Sequence, residues 1–402
     1  MINAAVLGFG TVGSGTVEII NGKDFSVKTG EDIKVTKILD LRTFEDSPYG
    51  HLVTSDFETI INDNDISIVV ETMGGTNPAY DFTKRCLLAG KSVVTSNKEL
   101  VATHGTELLQ IAKDKNVSYM FEASVGGGIP IIRPLCNCLA ANDINQIMGI
   151  LNGTTNYILT KMIKDGDTLE NALLDAQKKG YAERNPKADI EGIDACRKIA
   201  ILASLAFGKF IDSTKISTEG ITNISLEDVK YADKIGCSIK LIGQCKNVNG
   251  KVFAKVSPLM LPKDNALSDV EGVFNAILVN GSATGDVMFY GKGAGKMPTA
   301  SAVAADVIDI VMHRGLGTPY WEDGGELTYE NPDNIKLYIR LTSDAENIAK
   351  KLFENITEIK SDEGEFVFIT DEGREKELLS KVKMIKNELG DSVVKNTIQV
   401  VF

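Results

Sequence analysis

Short apolar runs, each closed by a glycine-rich or polar turn and followed by helical periodicity, set the rhythm of the first third of the chain. Residues 4–7 are wholly apolar and lead into Gly8-Phe9-Gly10-Thr11-Val12-Gly13 and an amphipathic stretch. Residues 33–42, 67–75 and 91–102 repeat the strand-and-turn pattern, and residues 117–132 carry a further strand into a glycine cluster. Uninterrupted apolar strands alternating with helices predict a parallel sheet buried on both faces.

The middle of the chain is different. Residues 146–151 read as a strand that runs into the polar string NGTTNYIL, which starts at Asn152 and opens a helix. Residues 168–180 read as an amphipathic helix with Gly180 as its C-cap, 181–189 as a loop holding Pro186, and 192–208 as a long buried helix. Beyond Asn334 the charge rises. A strand, a helix, a hairpin turning near Glu363-Gly364, a helix capped by Gly390 and a last strand, TIQVVF, give the order β-α-β-β-α-β.

Composition narrows this picture. A length of 402 residues predicts two or three domains. The net charge of -12, without clustered Lys and Arg, argues against nucleic-acid binding. No apolar run is long enough to span a bilayer. No basic and apolar leader precedes the first strand, so the expected compartment is the cytoplasm. Six cysteines without a CxxC pair read as reduced thiols, with Cys136 and Cys138 in the core. Three histidines outside any motif argue against a Ser-His-Asp hydrolase or a histidine-ligated metal.

The chemistry enters at the turns. Gly8 to Gly13 match GxGxxG between a strand and a helix, the context that makes this fingerprint a dinucleotide site. Gly8 permits the tight turn, Gly10 the approach of a pyrophosphate, and Gly13 close packing of the helix; the helix N-terminus faces the anion. Asp40, at the end of the second strand, suits an adenosine ribose and hence NAD, whereas Arg42 suits a 2′-phosphate and hence NADP; the choice stays open. Thr72, Met73, Ser96 and Lys98 follow strand ends on the same sheet edge and should line the cofactor. A lysine at a helix start opposes the helix dipole, which favours a functional role for Lys98. Glu122 lies in apolar sequence beside a glycine cluster, so it needs a partner, and a carboxylate with turn carbonyls is a ligand set for a hard cation.

The polar string of the middle domain admits two readings. Asn152 or Thr154 caps the helix, or the Gly153 and Thr154 amides and the Thr154 hydroxyl grip a substrate. Asp194 and Lys198 share one helix face at i and i+4 where the helix turns apolar. They form either a simple ion pair or a lysine tuned to donate a proton. Glu183 and Asp189 suit an ammonium group.

Taken together, GFGTVG, TSNKELVA, the EASVGGGIP string from Glu122, ILNGTTNYIL, the segment from Gly180 to Lys198, and YGKGAGKMPTASAV from Tyr290 resemble homoserine dehydrogenase, in that order, over residues 1 to about 325. The resemblance implies reversible NAD(P)H-dependent reduction of aspartate 4-semialdehyde to homoserine. It implies that Lys198 donates a proton to the aldehyde oxygen, that Asp194 positions it, and that Lys98 is a second relay. Thr154, Tyr181, Glu183 and Asp189 would hold the amino-acid end of the substrate. Glu122, with the carbonyls of Val125, Gly127 and Ile129, resembles the family's monovalent cation site, for Na or K. Gly291, Gly293 and Gly295 resemble the segment that closes over the cofactor. Asn185 stands where the family commonly has aspartate.

The expected fold class is therefore α/β. Residues 1–135 with 290–325 form a Rossmann-type doubly wound nucleotide-binding domain, and 136–289 an α+β catalytic and dimerisation domain. Residues 331–402 form a βαββαβ ACT-like regulatory domain that lacks the glycine usual after its first strand; Ser343-Asp344-Ala345-Glu346 stands there. A homo-oligomer, dimer or tetramer, is expected, with no nucleic-acid or membrane partner. Aspartate-semialdehyde dehydrogenase is the competing enzyme reading and needs a nucleophilic cysteine. A nucleotide-sensing regulator is the non-enzyme reading, opposed by the Asp194/Lys198 pair.

Overall fold

Ala4, Ala5, Val6 and Leu7 are fully buried in the computed structural model, which describes residues 1–313 and 319–401. They belong to a six-stranded parallel sheet built from β1 (Ile2–Leu7), β2 (Ile33–Leu39), β3 (Val53–Thr54), β4 (Ile66–Glu71), β5 (Ser92–Thr95) and β6 (Tyr119–Met120). The strand order is β3-β2-β1-β4-β5-β6. Its direction reverses between β1 and β4, so the loops after these strands flank a crevice of the kind that binds nucleotides.

The sheet sits in the first of two compact units, formed by Met1–Asn145, Arg197–Lys215 and Val279–Gly325. Helix Thr11–Asn21 and helix Lys296–His313 pack together over it, with Val17, Ile20, Val303 and Val307 in one apolar cluster with Val6, Ile38 and Val70. Lys296 also pairs with Glu18 at 2.6 Å. The late helix lies within the expected segment 290–325, of which residues 314–318 lie outside the described residues, as does Phe402.

Two expectations for this unit need correction. The strand expected over 117–132 is only Tyr119–Met120, because the chain then tightens into a 3-10 turn at Glu122–Ser124. The stretch holding Cys136 and Cys138 is a π-helical turn, Pro134–Cys138, rather than a core helix. This wider turn leaves Cys136 half-buried and Cys138 exposed.

The second unit comprises Gln146–Cys196, Ile216–Leu278 and Glu326–Phe402. The strands of its mixed sheet include, as successive neighbours, Phe274–Gly281, Ile144–Ile150, Cys237–Val248, Lys251–Pro262, Val394–Val400, Asn334–Thr342, Glu365–Thr370 and Ile356–Ile359. Helices Gly153–Asp165 and Leu226–Lys234 pack on Cys237–Val248. The loop expected over 181–189 contains one helical turn, Lys187–Ile190, started by Pro186. The tail has the expected βαββαβ order, with helices Glu346–Leu352 and Glu375–Leu389. Its last strand lies parallel to Lys251–Pro262, so the tail extends the same sheet.

Candidate active site

At the end of β1, Gly8 adopts a φ of +93°, which only glycine takes without strain. A Cβ on Gly13 would lie 1.9 Å from the Gly8 carbonyl, so the helix approaches the strand as closely as the fingerprint requires. Space near Gly10 is open. The Phe9 amide donates to Asp40 at 2.8 Å, and Phe9 packs edge-on against Phe44. Thr11 and Val12 form the first turn of the helix, which carries no acidic residue there.

Asp40 also accepts from the Arg42 amide, Nε and Nη2 at 3.0, 3.0 and 2.9 Å. The Arg42 guanidinium holds the Asp40 carboxyl well below the usual carboxylate range. Arg42 itself is exposed and stacks over Phe44 at 5.1 Å. Carboxylate and guanidinium thus stand together just after β2.

Thr72 ties the loop after β4 to the loop after β1, its hydroxyl donating to the Leu7 and Gly8 carbonyls at 3.1 and 2.9 Å. The amides of Met73 and Ser96 both return to Glu71, the first to its carboxylate at 2.7 Å and the second to its carbonyl at 3.3 Å. Lys98 opens helix Lys98–Lys115 directly after its N-cap Asn97. Its neighbour Glu99 pairs at 3.0 Å with Arg197, the residue preceding Lys198. The two lysine-bearing helices are therefore joined by an ion pair.

In the second unit Asn152, rather than Thr154, caps the helix of the polar string. Its Oδ1 accepts from the Thr155 amide at 2.8 Å and caps the helix that starts at Gly153. Its Nδ2 donates to Asp189 at 2.7 Å and to Asp194 at 2.9 Å. The Thr154 hydroxyl donates to the Tyr181 carbonyl at 2.7 Å, and the Tyr181 ring meets Tyr157 edge-on. Thr154, Tyr181, Asp189 and Asp194 are thus gathered around one helix N-terminus. Glu183 is exposed; its carbonyl accepts from Gln177 at 3.0 Å. Asp194 and Lys198 lie one turn apart on helix Ile193–Phe207, at 4% and 7% exposure, which removes both from bulk water.

Glu122 is almost fully buried, and its carboxylate is filled by the amides of Ile131, Ile132 and Arg133 at 2.6, 2.7 and 2.8 Å. Those donors orient its oxygens into its own turn. Val125, Gly127 and Ile129 are buried residues of the same turn. Backbone carbonyls of such a turn are the oxygen ligands a hard cation takes. Lys292, between Gly291 and Gly293, accepts from the Gly128 amide at 3.1 Å, so that returning segment runs along the same turn.

Three polar residues escaped the sequence reading. Asn152 was legible only as a cap. Asp306, which accepts the Glu122 amide at 2.8 Å and is pushed up to about 8 by burial, lies in an apolar helix. Glu71 ends an apolar strand; a carboxylate in such a run is the signal that marks it.

Burial pushes the Cys136 thiol up to about 11, away from the reactive thiolate. Among the described residues no helix is long and apolar enough to cross a membrane.

Two family profiles match the chain: "Homoserine dehydrogenase, NAD binding domain" over residues 8–122 and "Homoserine dehydrogenase" over residues 130–308. A homoserine dehydrogenase of Lactococcus lactis subsp. lactis (strain IL1403) is 43% identical over 326 residues, 79% of this chain and 76% of its own. The crystal structure of a homoserine dehydrogenase from Thiobacillus denitrificans matches with a TM-score of 0.91 at 34% identity, covering 100% of this chain and 98% of that one. A hyperthermophilic archaeal homoserine dehydrogenase in complex with NADPH matches with a TM-score of 0.66 at 30% identity, over 78% of this chain and 98% of its own.

Proposed function

The chain belongs to the homoserine dehydrogenase family, and from that premise we propose how its residues carry the oxidoreductase reaction. L-Homoserine and L-aspartate 4-semialdehyde are interconverted, with NAD or NADP supplying the hydride acceptor or donor when bound. Gly8, Gly10 and Gly13 leave room for its pyrophosphate, Phe9, Thr11 and Val12 complete that cradle, and Asp40 with Arg42 meets the adenosine ribose. Thr72, Met73, Ser96, Gly291 and Gly293 line the rest.

Lys198 gives its proton to the aldehyde oxygen in reduction and takes the hydroxyl proton in oxidation. Asp194 orients Lys198, and Lys98 is a second relay. Gly153, Thr154, Tyr181, Glu183 and Asp189 hold the amino-acid end of the substrate, the carboxylates facing its ammonium group. The single observation that carries this reading is Asn152 Nδ2, shared between Asp189 and Asp194. One amide holds the substrate-binding carboxylate of Asp189 and the Asp194 carboxylate beside the proton donor in fixed relation.

A monovalent cation held by the carbonyls of Val125, Gly127 and Ile129 would brace the turn; Glu122 acts there by ordering the amides that follow. We assign 1–135 with 290–325 to cofactor binding, 136–289 to substrate binding and dimerisation, and 331–402 to an ACT-like module. A cytoplasmic homo-oligomer serving threonine and methionine synthesis fits this chemistry. The tail either retains feedback by an amino-acid effector or, lacking the glycine near Ser343, has lost it, with the two readings evenly matched; inhibition by threonine would refute the loss.

The test is homoserine-dependent reduction of NAD and of NADP, followed by nicotinamide absorbance. Turnover with either supports the reading. Cofactor binding without turnover on homoserine would sink it.

A further inference from the structure

Glu71 is completely buried at the end of β4, yet no step of the reaction uses it. Its carboxylate accepts the Met73 amide at 2.7 Å on one oxygen and the Thr95 hydroxyl at 2.5 Å on the other. Met73 belongs to the loop after β4, and Thr95 ends β5. The Thr95 hydroxyl in turn accepts the Asn97 amide at 2.9 Å. Asn97 sends its own amide group back to the Gly75 carbonyl at 2.6 Å and caps the helix of Lys98 through the Leu100 amide at 3.1 Å. The bonds form a closed circuit: Glu71, Thr95, Asn97, Gly75 and back to β4.

Burial raises the proton affinity of the Glu71 carboxyl, while Thr95 and the Met73 amide pull the other way. A carboxylate in an apolar strand is costly to keep, and a hydrophobic residue would fill the same volume without that cost. The circuit gives the carboxylate a purpose. Loops after neighbouring strands otherwise have no covalent reason to keep a common geometry, and here one carboxyl group accepts from both.

We propose that Glu71 is a positioning residue for the reaction, fixing the loop of Thr72 and Met73 and the start of the Lys98 helix in one frame through the Thr95 hydroxyl. This rests on the assignment of those two loops to the nicotinamide half of the cofactor. The adenosine half, held by Gly8 to Gly13 and Asp40, lies outside the circuit.

The experiment compares Glu71→Gln, Thr95→Val and Thr95→Ser in the full-length enzyme, measuring kcat and KM for homoserine and the affinity for ADP-ribose, which lacks the nicotinamide. Glu71→Gln and Thr95→Val should each lower kcat by ~10- to 100-fold, the cost of small misplacement of reacting groups, with ADP-ribose affinity unchanged. Thr95→Ser, which restores the hydroxyl, should restore kcat relative to Thr95→Val. The double variant Glu71→Gln/Thr95→Val should be no worse than either single change. The proposal is overturned if kcat survives in Glu71→Gln and Thr95→Val. It is also overturned if kcat and ADP-ribose affinity fall together, the mark of general damage, or if Thr95→Ser is as poor as Thr95→Val. Failure of the unaltered enzyme to bind ADP-ribose would instead overturn the cofactor assignment beneath it.

Discussion

The side-chain amide of Asn152 donates to the carboxylate of Asp194, 42 residues further along the chain, at 2.9 Å. The same nitrogen reaches Asp189, while the oxygen of the same side chain caps a helix. One residue therefore anchors a helix start and keeps two carboxylates in register. Asparagine suits this place because its side chain both donates and accepts.

Replacing that amide separates the two jobs. Asn152→Asp keeps the capping oxygen but loses the donor and adds a third acidic group. A hydrogen bond to a charged group contributes roughly 1.5–3 kcal/mol, so kcat/KM for homoserine should fall by ~10- to 100-fold. Asn152→Ala loses the cap as well and should cost about 1 kcal/mol of stability on that account. Steady-state kinetics with denaturant melts check both. Unchanged kcat/KM in Asn152→Asp would remove Asn152 from the site.

Arg42 lies folded onto Asp40 and exposed above Phe44. Released from Asp40, its guanidinium can meet a 2′-phosphate. Arg42→Ala should therefore weaken NADP by ~10-fold or more, in the range of a lost charge-assisted bond, and leave NAD nearly unchanged. Binding titrations with both cofactors test this; an equal loss for the two would show that Arg42 does not read the phosphate.

Lys240 is buried in the second unit, its Nζ donating to the Val270 carbonyl at 2.5 Å. Burial pushes its pKa down to about 8 from the ordinary 10.5. Below about 8 the lysine is charged in both folded and unfolded chains, and pH has no effect through it. Between the two values the unfolded chain holds the proton and the folded chain does not, so stability rises with pH in that window. The gain is on the order of a few kcal/mol. Denaturant melts across the window should show the rise, and Lys240→Met should flatten it. An identical slope in the variant would clear Lys240 of the effect.

The order of the elements was legible because their physics is local. The run Ala4–Leu7 and the spacing Gly8-Phe9-Gly10-Thr11-Val12-Gly13 imply strand, turn and helix without help from the rest of the chain, and the tail's βαββαβ order followed from short-range patterns alone. What escaped depends on distant partners. Asn152 reads as a cap until folding brings Asp189 and Asp194 to its other end. Glu122 reads as needing a partner, and only folding shows that the amides of Ile131, Ile132 and Arg133 supply it. Cys138 reads as core because its neighbours are apolar; it is exposed in a π-helical turn that the Leu139 amide closes on the Pro134 carbonyl at 2.8 Å.

The proton donor is the centre of the account, and Lys198→Ala measures it most directly. With homoserine and either cofactor, the variant should lose at least ~100-fold in kcat, the scale of general acid–base catalysis, while its affinity for the cofactor stays within about twofold, well under the 1.4 kcal/mol of a tenfold change. Turnover close to that of the unaltered enzyme would contradict the assignment of Lys198 as the group that moves the proton.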